Sequence, residues 1–279
     1  MKVVILADSS VSKKFMIENE IELLPLNIVK SDLTVIQDDN SLSEDDFYTL
    51  LDNDNLKTSQ SIIGDLIDKW NYLLLENDHI ICCLLSKGLS GQFNTAVRIA
   101  DEDEYKGKVT VIDTNGVSVV NSRIILKIKK LLSEGKTPAE IKDIIEDISN
   151  NNKYNKFGFI IPKNLQQLVK GGRVSKSVAI LAKMAKFVPI LKYDGTIDKE
   201  TKIRLFKNAI SYAMEWFIDN RFTTIDISYS KCSLQTLELI KSEAIVSGLK
   251  IGLEEVLPNT IITHTGRETF ALIAADIFF

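Results

Sequence analysis

Short apolar runs alternate with longer amphipathic stretches along this chain, and that alternation most restricts its fold. Val3 to Ala7 reads as a buried strand, Leu23 to Val29 as a second, Ile80 to Leu85 as a third and Val109 to Ile112 as a fourth. Helical patterns lie between and after them. One opens at Ser43-Glu44-Asp45-Asp46, an N-cap followed by first-turn acids. Others cover Gly64 to Glu76, Gln92 to Asp101 and Val117 to Leu132. Thr137-Pro138-Ala139-Glu140 is a capping box with proline at the first helical position. Strands joined by helices of this length need crossover connections, so the sheet is parallel and covered on both faces.

The pattern changes after Ser149 to Asn155, a polar, Asn-rich stretch that reads as a linker. Phe157 to Ile161 is a strand, and Leu165 to Val169 starts a helical stretch broken by Gly171-Gly172. Ser177 to Phe187 reads as a helix. Val188 to Tyr193 and Thr196-Ile197 flank Asp194-Gly195, a hairpin signal. A long helix follows over Ile203 to Asn220. Thr224 to Tyr229, Ser233 to Val246, Lys250 to Val256, Ile261 to Thr263 and Phe270 to Phe279 then read as strand, helix, strand, strand and helix. The expected fold class is α/β with two lobes. Residues 1–150 form an N-terminal lobe with a mostly parallel sheet, and residues 156–279 form a C-terminal lobe with a mixed sheet.

Composition narrows the function. The 279 residues carry 34 basic and 38 acidic side chains, a net charge of −4 without a polybasic segment. Non-specific nucleic-acid binding needs a basic footprint, so no nucleic-acid partner is expected. MKVVILADSS has too short an apolar run for a signal peptide. No segment approaches the roughly 20 apolar residues of a membrane span. A cytoplasmic protein is expected. Cys82 and Cys83 are strand neighbours pointing to opposite faces, Cys232 is remote, and no C-x-x-C spacing exists. They read as buried hydrophobes in a reducing compartment, with no metal expected.

The informative stretch is Ser86-Lys87-Gly88-Leu89-Ser90-Gly91, between the Ile80 strand and the Gln92 helix. Ser90 there can attack, hold or cap. A nucleophile needs a base in reach, and the chain has two histidines. His79 opens the strand whose far end leads to Ser90, the wrong end of the sheet. His264 follows an apolar run read as a strand, which would put it at a strand end where open α/β sheets bind ligands. The hydrolase elbow G-x-S-x-G is absent. As a cap, Ser90 fits a helix N-terminus, and such a terminus also attracts anions. Asp8-Ser9-Ser10, Thr58-Ser59-Gln60-Ser61 and Asp113-Thr114 end or precede neighbouring elements. Together with Ser90 they would make a neutral, hydroxyl-rich rim suited to holding a carboxylate or phosphate. No P-loop or dinucleotide-binding G-x-G-x-x-G is present, so no cofactor is expected.

Six short motifs occur in order: Asp8-Ser9-Ser10; Thr58-Ser59-Gln60; Gly88-Leu89-Ser90-Gly91; Leu168 to Ser175 with its central Gly171-Gly172-Arg173; Pro189-Ile190-Leu191 with Gly195; and His264-Thr265-Gly266. In that order and spacing the chain resembles the DegV family, whose members resemble the fatty-acid-binding subunit of bacterial fatty acid kinase. The resemblance implies a two-lobed α/β protein that buries one long acyl chain between and within its lobes. Thr58 and Ser90 would hold the carboxyl group, with Ser59 and Gly91 beside them. His264 would lie near the head group and add a hydrogen bond, stronger if protonated. Arg173 and Lys202-Ile203-Arg204 match positions tied to kinase docking or head-group electrostatics. The implied partners are a long-chain fatty acid, the kinase's catalytic subunit, which makes the acyl-phosphate, and transiently a membrane surface. The binding subunit itself would perform no chemistry. Two other readings stay open from the residues: a lipid hydrolase using Ser90 with His264, and a lipid-sensing regulator. Three positions depart from the family's usual pattern. Gln92-Phe93-Asn94 stands where Thr-Tyr-Gln is usual, Ser61 where Pro is usual, and Arg267-Glu268 where Pro-Gly is common.

Overall fold

The structure is a computed structural model that describes residues 1–151, 154–181 and 187–278. It divides into two compact units, Met1–Asn151 with Pro258–Thr263, and Asn152–Leu257 with His264–Phe279.

In the first unit, β1 (Val3–Asp8) leads through α1 (Lys13–Glu18) to β2 (Glu22–Leu24). The expected strand Leu23 to Val29 is instead two strands in two different sheets. Pro25 lacks a donor for the ladder and breaks the run, and β3 (Asn27–Val29) starts a separate antiparallel sheet. That sheet has the order β4-β3-β5, with β4 at Val35–Gln37 and β5 at Lys57–Ser59. Between β4 and β5 lies α2 (Glu44–Asn53), capped by Ser43 as its sequence implies.

The main sheet is parallel, in the order β2-β1-β6-β7, with β6 at His79–Cys83 and β7 at Val109–Ile112. Every residue of β6 is buried, the mark of a strand covered on both faces. One core joins Leu66, Trp70 and Leu73 of α3 (Ile63–Leu74) and Ala96 and Ile99 of α4 (Gln92–Ala100) to Cys82, Val109 and Val111. Phe93, Val97 and Ala100 pack against the same core. The unit continues through α5 (Val119–Ser133) and α6 (Pro138–Asn150), where Thr137 and Glu140 complete the expected capping box. Of the Asn-rich stretch beyond α6, Asn152 and Lys153 lie outside the described residues.

The second unit is built on a mixed sheet of order β10-β9-β8-β13-β11-β12. β8 (Gly158–Pro162) is followed by α7 (Leu165–Lys170) and α8 (Lys176–Leu181). The expected helix Ser177 to Phe187 extends past these into residues 182–186, outside the described residues. β9 (Val188–Tyr193) and β10 (Ile197–Ile203) form the expected hairpin, with Gly195 at φ 103° in its turn. Then come α9 (Phe206–Asp219), β11 (Thr224–Tyr229), α10 (Leu234–Val246) and β12 (Lys250–Val256). Phe159, Ile161, Phe270 and Leu272 bury against Ala213, Met214 and Phe217 of α9 and Ile240 of α10.

Two expectations near the C-terminus are corrected. Ile261 to Thr263 is not a strand but part of α11 (Asn259–Thr265). Its β-branched run favours a strand locally, but buried Asp38 overrides that preference. The Asp38 carboxylate accepts the Thr260 N–H (3.1 Å) and Asn259 Nδ2 (3.0 Å), and pairs with Lys13 (2.7 Å). These contacts satisfy donors that a helix start leaves open and tie residues 258–263 into the first unit, so a C-terminal lobe of 156–279 is interrupted there. Phe270 to Phe279, expected as a helix, begins as β13 (Thr269–Ala274), which lies between β8 and β11 and ends in a 3-10 turn over Ala275–Phe278. A short apolar run buried on both faces carries no period to tell strand from helix.

Candidate functional site

The loop after β6 is folded around Ser86. The backbone N–H groups of Leu89 and Ser90 donate to its carbonyl (3.0 and 3.1 Å), and that of Gly88 to its hydroxyl (3.2 Å). The Ser86 N–H in turn donates to the Gly116 carbonyl (2.9 Å). Lys87 forms an ion pair with Asp113, just beyond β7, and the Asp113 N–H donates to Glu146 of α6 (3.0 Å). Ser90 is thereby presented, half-buried, immediately before α4. Its Oγ accepts the Gln92 N–H (3.2 Å). A hydroxyl has one donor and two acceptor positions, so this bond leaves the Ser90 proton available to an incoming anion. Capping and holding are compatible here.

The T-S-Q segment lies against the first turn of α4. Thr58 pairs across from Ile28, and strand alternation leaves Thr58 half-buried and Ser59 exposed. Two residues beyond Thr58, Gln60 accepts a hydrogen bond from the Thr95 hydroxyl of α4 (3.2 Å), while its carbonyl accepts Asn27 Nδ2 (2.9 Å). Gln60 Oε1 lies where a Cβ on Gly91 would approach to 3.2 Å, so the glycine permits the close passage. Next, Ser61 donates its N–H to Gln92 Oε1 (3.0 Å) and accepts Gln92 Nε2 at its hydroxyl (3.2 Å). Of the expected head-group residues, the first unit therefore carries the Thr58 and Ser90 segments side by side, with Gly91 at the crossing and Ser59 turned to the other face.

Asp8, Ser9 and Ser10 are not part of an open rim. All three are fully buried. Asp8 accepts the Leu85 N–H (2.9 Å) and both the N–H and the hydroxyl of Ser10 (3.1 and 2.5 Å). Ser9 Oγ accepts the Leu26 N–H (2.9 Å), and its carbonyl accepts the Thr260 hydroxyl (3.1 Å). The cluster is a junction that fixes the sheet edge on which the Ser90 loop stands. Burial pushes the Asp8 pKa up to about 6, against the opposing pull of the Leu85 and Ser10 hydrogen bonds.

In the second unit, α7 ends at Gly171, Gly172 follows at φ 69°, and Arg173 Nη1 donates back to the Gly171 carbonyl (2.7 Å). His264, in the last turn of α11, hydrogen-bonds the Gly171 backbone as well. It is therefore on a helix, not at a strand end. Burial and then the Arg173 charge push its pKa down to about 4, with the Gly171 bond opposing. The imidazole is neutral near pH 7, so the stronger, protonated donor is not its resting form. The hydroxyls of Ser175 and Ser177 both donate to Asp198 of β10 (2.5 and 2.6 Å), which anchors the chain just after Arg173. Glu268, in the Arg267-Glu268 departure from the family's usual pattern, pairs with Lys163 (2.6 Å).

Gln60, Ser61, Gln92, Asp113 and Asp198 were not expected as positioning residues. Sequence alone places Gln60, Ser61 and Asp113 in the ligand-holding rim, and gives Gln92 and Asp198 no local signal of a positioning role. Among the described residues, no group of three His, Cys, Asp or Glu side chains is arranged to hold a metal ion. No helix among them is long and apolar enough to cross a membrane.

Comparison with known proteins agrees with this architecture. A DegV domain-containing protein of Staphylococcus aureus is 28% identical, over 98% of both chains. Another, from Ureaplasma parvum, is 33% identical, over 93% of this chain and 84% of its own. Among solved structures, a fatty-acid-binding DegV family protein of Thermus thermophilus superposes with a TM-score of 0.82 at 22% identity, covering 98% of each chain. The Streptococcus pneumoniae Fatty Acid Kinase B3 protein, loaded with linoleic acid, superposes with a TM-score of 0.77 at 18% identity, again covering 98% of each. These two likenesses establish the fold. The model of the DegV family, described as uncharacterised proteins, matches residues 2–276, and the chain belongs to the DegV family.

Proposed function

We propose that this protein binds one long-chain fatty acid, holds its carboxyl group with the hydroxyls of Thr58 and Ser90, and presents it to a separate kinase subunit that forms the acyl-phosphate. The observation that carries the reading is the lattice of side-chain bonds from Gln60 and Ser61 to Gln92 and Thr95, which brings the Thr58 strand against the start of the Ser90 helix. A buried carboxylate costs several kcal/mol unless it is hydrogen-bonded. Two hydroxyls and the first amides of α4 supply donors without a full counter-charge. The acyl tail supplies most of the affinity, at about 0.8 kcal/mol per buried methylene before the costs of binding. The family likeness adds His264 and Arg173 to the proposed head-group residues. The kinase subunit, a cytoplasmic location and passing contact with a membrane surface belong to the same reading, and the protein acts in it as a carrier without chemistry of its own.

Calorimetric titration with palmitic acid tests it. Ser90→Ala weakens binding about tenfold, near the worth of one hydrogen bond to a charged group, while the thermal midpoint stays close to that of the parent. Undiminished affinity in a folded Ser90→Ala variant would overturn the role of Ser90.

A further inference from the structure

The Gln92 side chain is almost wholly buried at the first position of a helix, where a polar side chain ordinarily reaches solvent. Burying a long amide is unfavourable unless both of its ends are satisfied. Here one residue meets both: Ser61 gives its N–H to Oε1 (3.0 Å) and receives Nε2 at its hydroxyl (3.2 Å). The Ser61 hydroxyl in turn donates a hydrogen bond to the Pro25 carbonyl (2.5 Å). This chain of bonds has one polarity. Turning the Gln92 amide over would set its NH2 group against the Ser61 N–H, so the side chain has a single satisfied orientation.

The pair lies three residues beyond Thr58 and two beyond Ser90. It joins the two segments at a separation set by the length of a glutamine side chain. Gln60 adds a second tie through Thr95, beside the glycine at position 91. We infer that Ser61 and Gln92 are positioning residues that fix the spacing of the Thr58 and Ser90 hydroxyls, and so favour a carboxylate over a neutral head group on the same tail. This rests on the reading of Thr58 and Ser90 proposed above.

The experiment compares dissociation constants for palmitic acid and for hexadecanol, which has the same chain length and no carboxylate. Gln92→Met keeps the buried volume and removes both bonds. It is expected to weaken palmitic acid about tenfold and hexadecanol less than about twofold. Ser61→Thr, which keeps the N–H and the hydroxyl, is expected to retain the preference for the acid. In a Ser90→Ala background Gln92→Met is expected to add less than about a further twofold, because the hydroxyl it positions is gone. Equal losses for acid and alcohol, or the same loss with and without the Ser90 hydroxyl, would overturn the inference and leave the pair a packing feature. If Ser90→Ala alone leaves palmitic acid binding unchanged, the Ser90 reading fails and this inference with it. If Ser90→Ala selectively weakens the acid and Gln92→Met does not, only the inference fails.

Discussion

Gly171 and His264 are in such close contact that a methyl group on the glycine would lie 2.7 Å from imidazole Nδ1 and 3.0 Å from the histidine Cβ. Gly171 has an ordinary helical φ of −61°, so its lack of a side chain serves this contact and not backbone strain. Gly171→Ala is expected to destabilise by about 1–3 kcal/mol through overpacking and to shift the His264 ring signals in an NMR spectrum. Gly172 is the control: it has positive φ and open space around it. Gly172→Ala is expected to cost about 1–2 kcal/mol in backbone conformation and to leave the His264 ring signals in place. If both variants move the ring signals equally, the contact is not what selects glycine at 171.

The depressed pKa of His264 has a signed consequence. In the folded chain it titrates near 4, against 6.5 for an unperturbed histidine. Between those values the unfolded chain binds more protons, so the stability contributed by neutral His264 is lost as pH falls from 6.5 through 4. Denaturant midpoints for the parent and for His264→Gln should converge across that window, the variant falling less steeply. Parallel curves would show that His264 is not held neutral by the fold.

Asp8 acts in the opposite sense. Its folded pKa is raised to about 6 from 3.8. Its contribution is fully present below the unfolded pKa and is lost as pH rises through 6. Asp8→Asn removes that slope but cannot accept from Leu85 and Ser10 together, since one oxygen becomes an NH2 group. A buried donor left unsatisfied costs about 1–3 kcal/mol. The variant should therefore be less stable at pH 7 and lack the parent's decline between pH 4 and 6 at this site, as read by urea unfolding. A variant as stable as the parent at pH 7 would mean that the junction beneath the Ser90 loop is not sustained by these bonds.

Much of the first unit was legible in sequence because parallel strands and amphipathic helices carry distinct periods, and caps such as Thr137 with Glu140 are local. The misread segments are those where a distant residue decides. Asp38 turns a β-branched run into α11, and double-sided burial removes the period from β13. The same limit applies to the site. Ser90 and Thr58 stand out through motifs, but the bonds that bring their segments together do not. Ser61 and Gln92 looked like two separate departures from the family's usual pattern, and the structure joins them in one reciprocal pair. A proline at 61 would have no N–H to give to Gln92, so each residue suits the other.

The most direct test of the carrier reading is native mass spectrometry of the purified protein, followed by denaturation and lipid extraction. The account predicts a folded species heavier than the chain by one long-chain fatty acid, released on denaturation, and one equivalent of added fatty acid taken up after delipidation. A folded protein that carries no lipid and takes up no added fatty acid would contradict it.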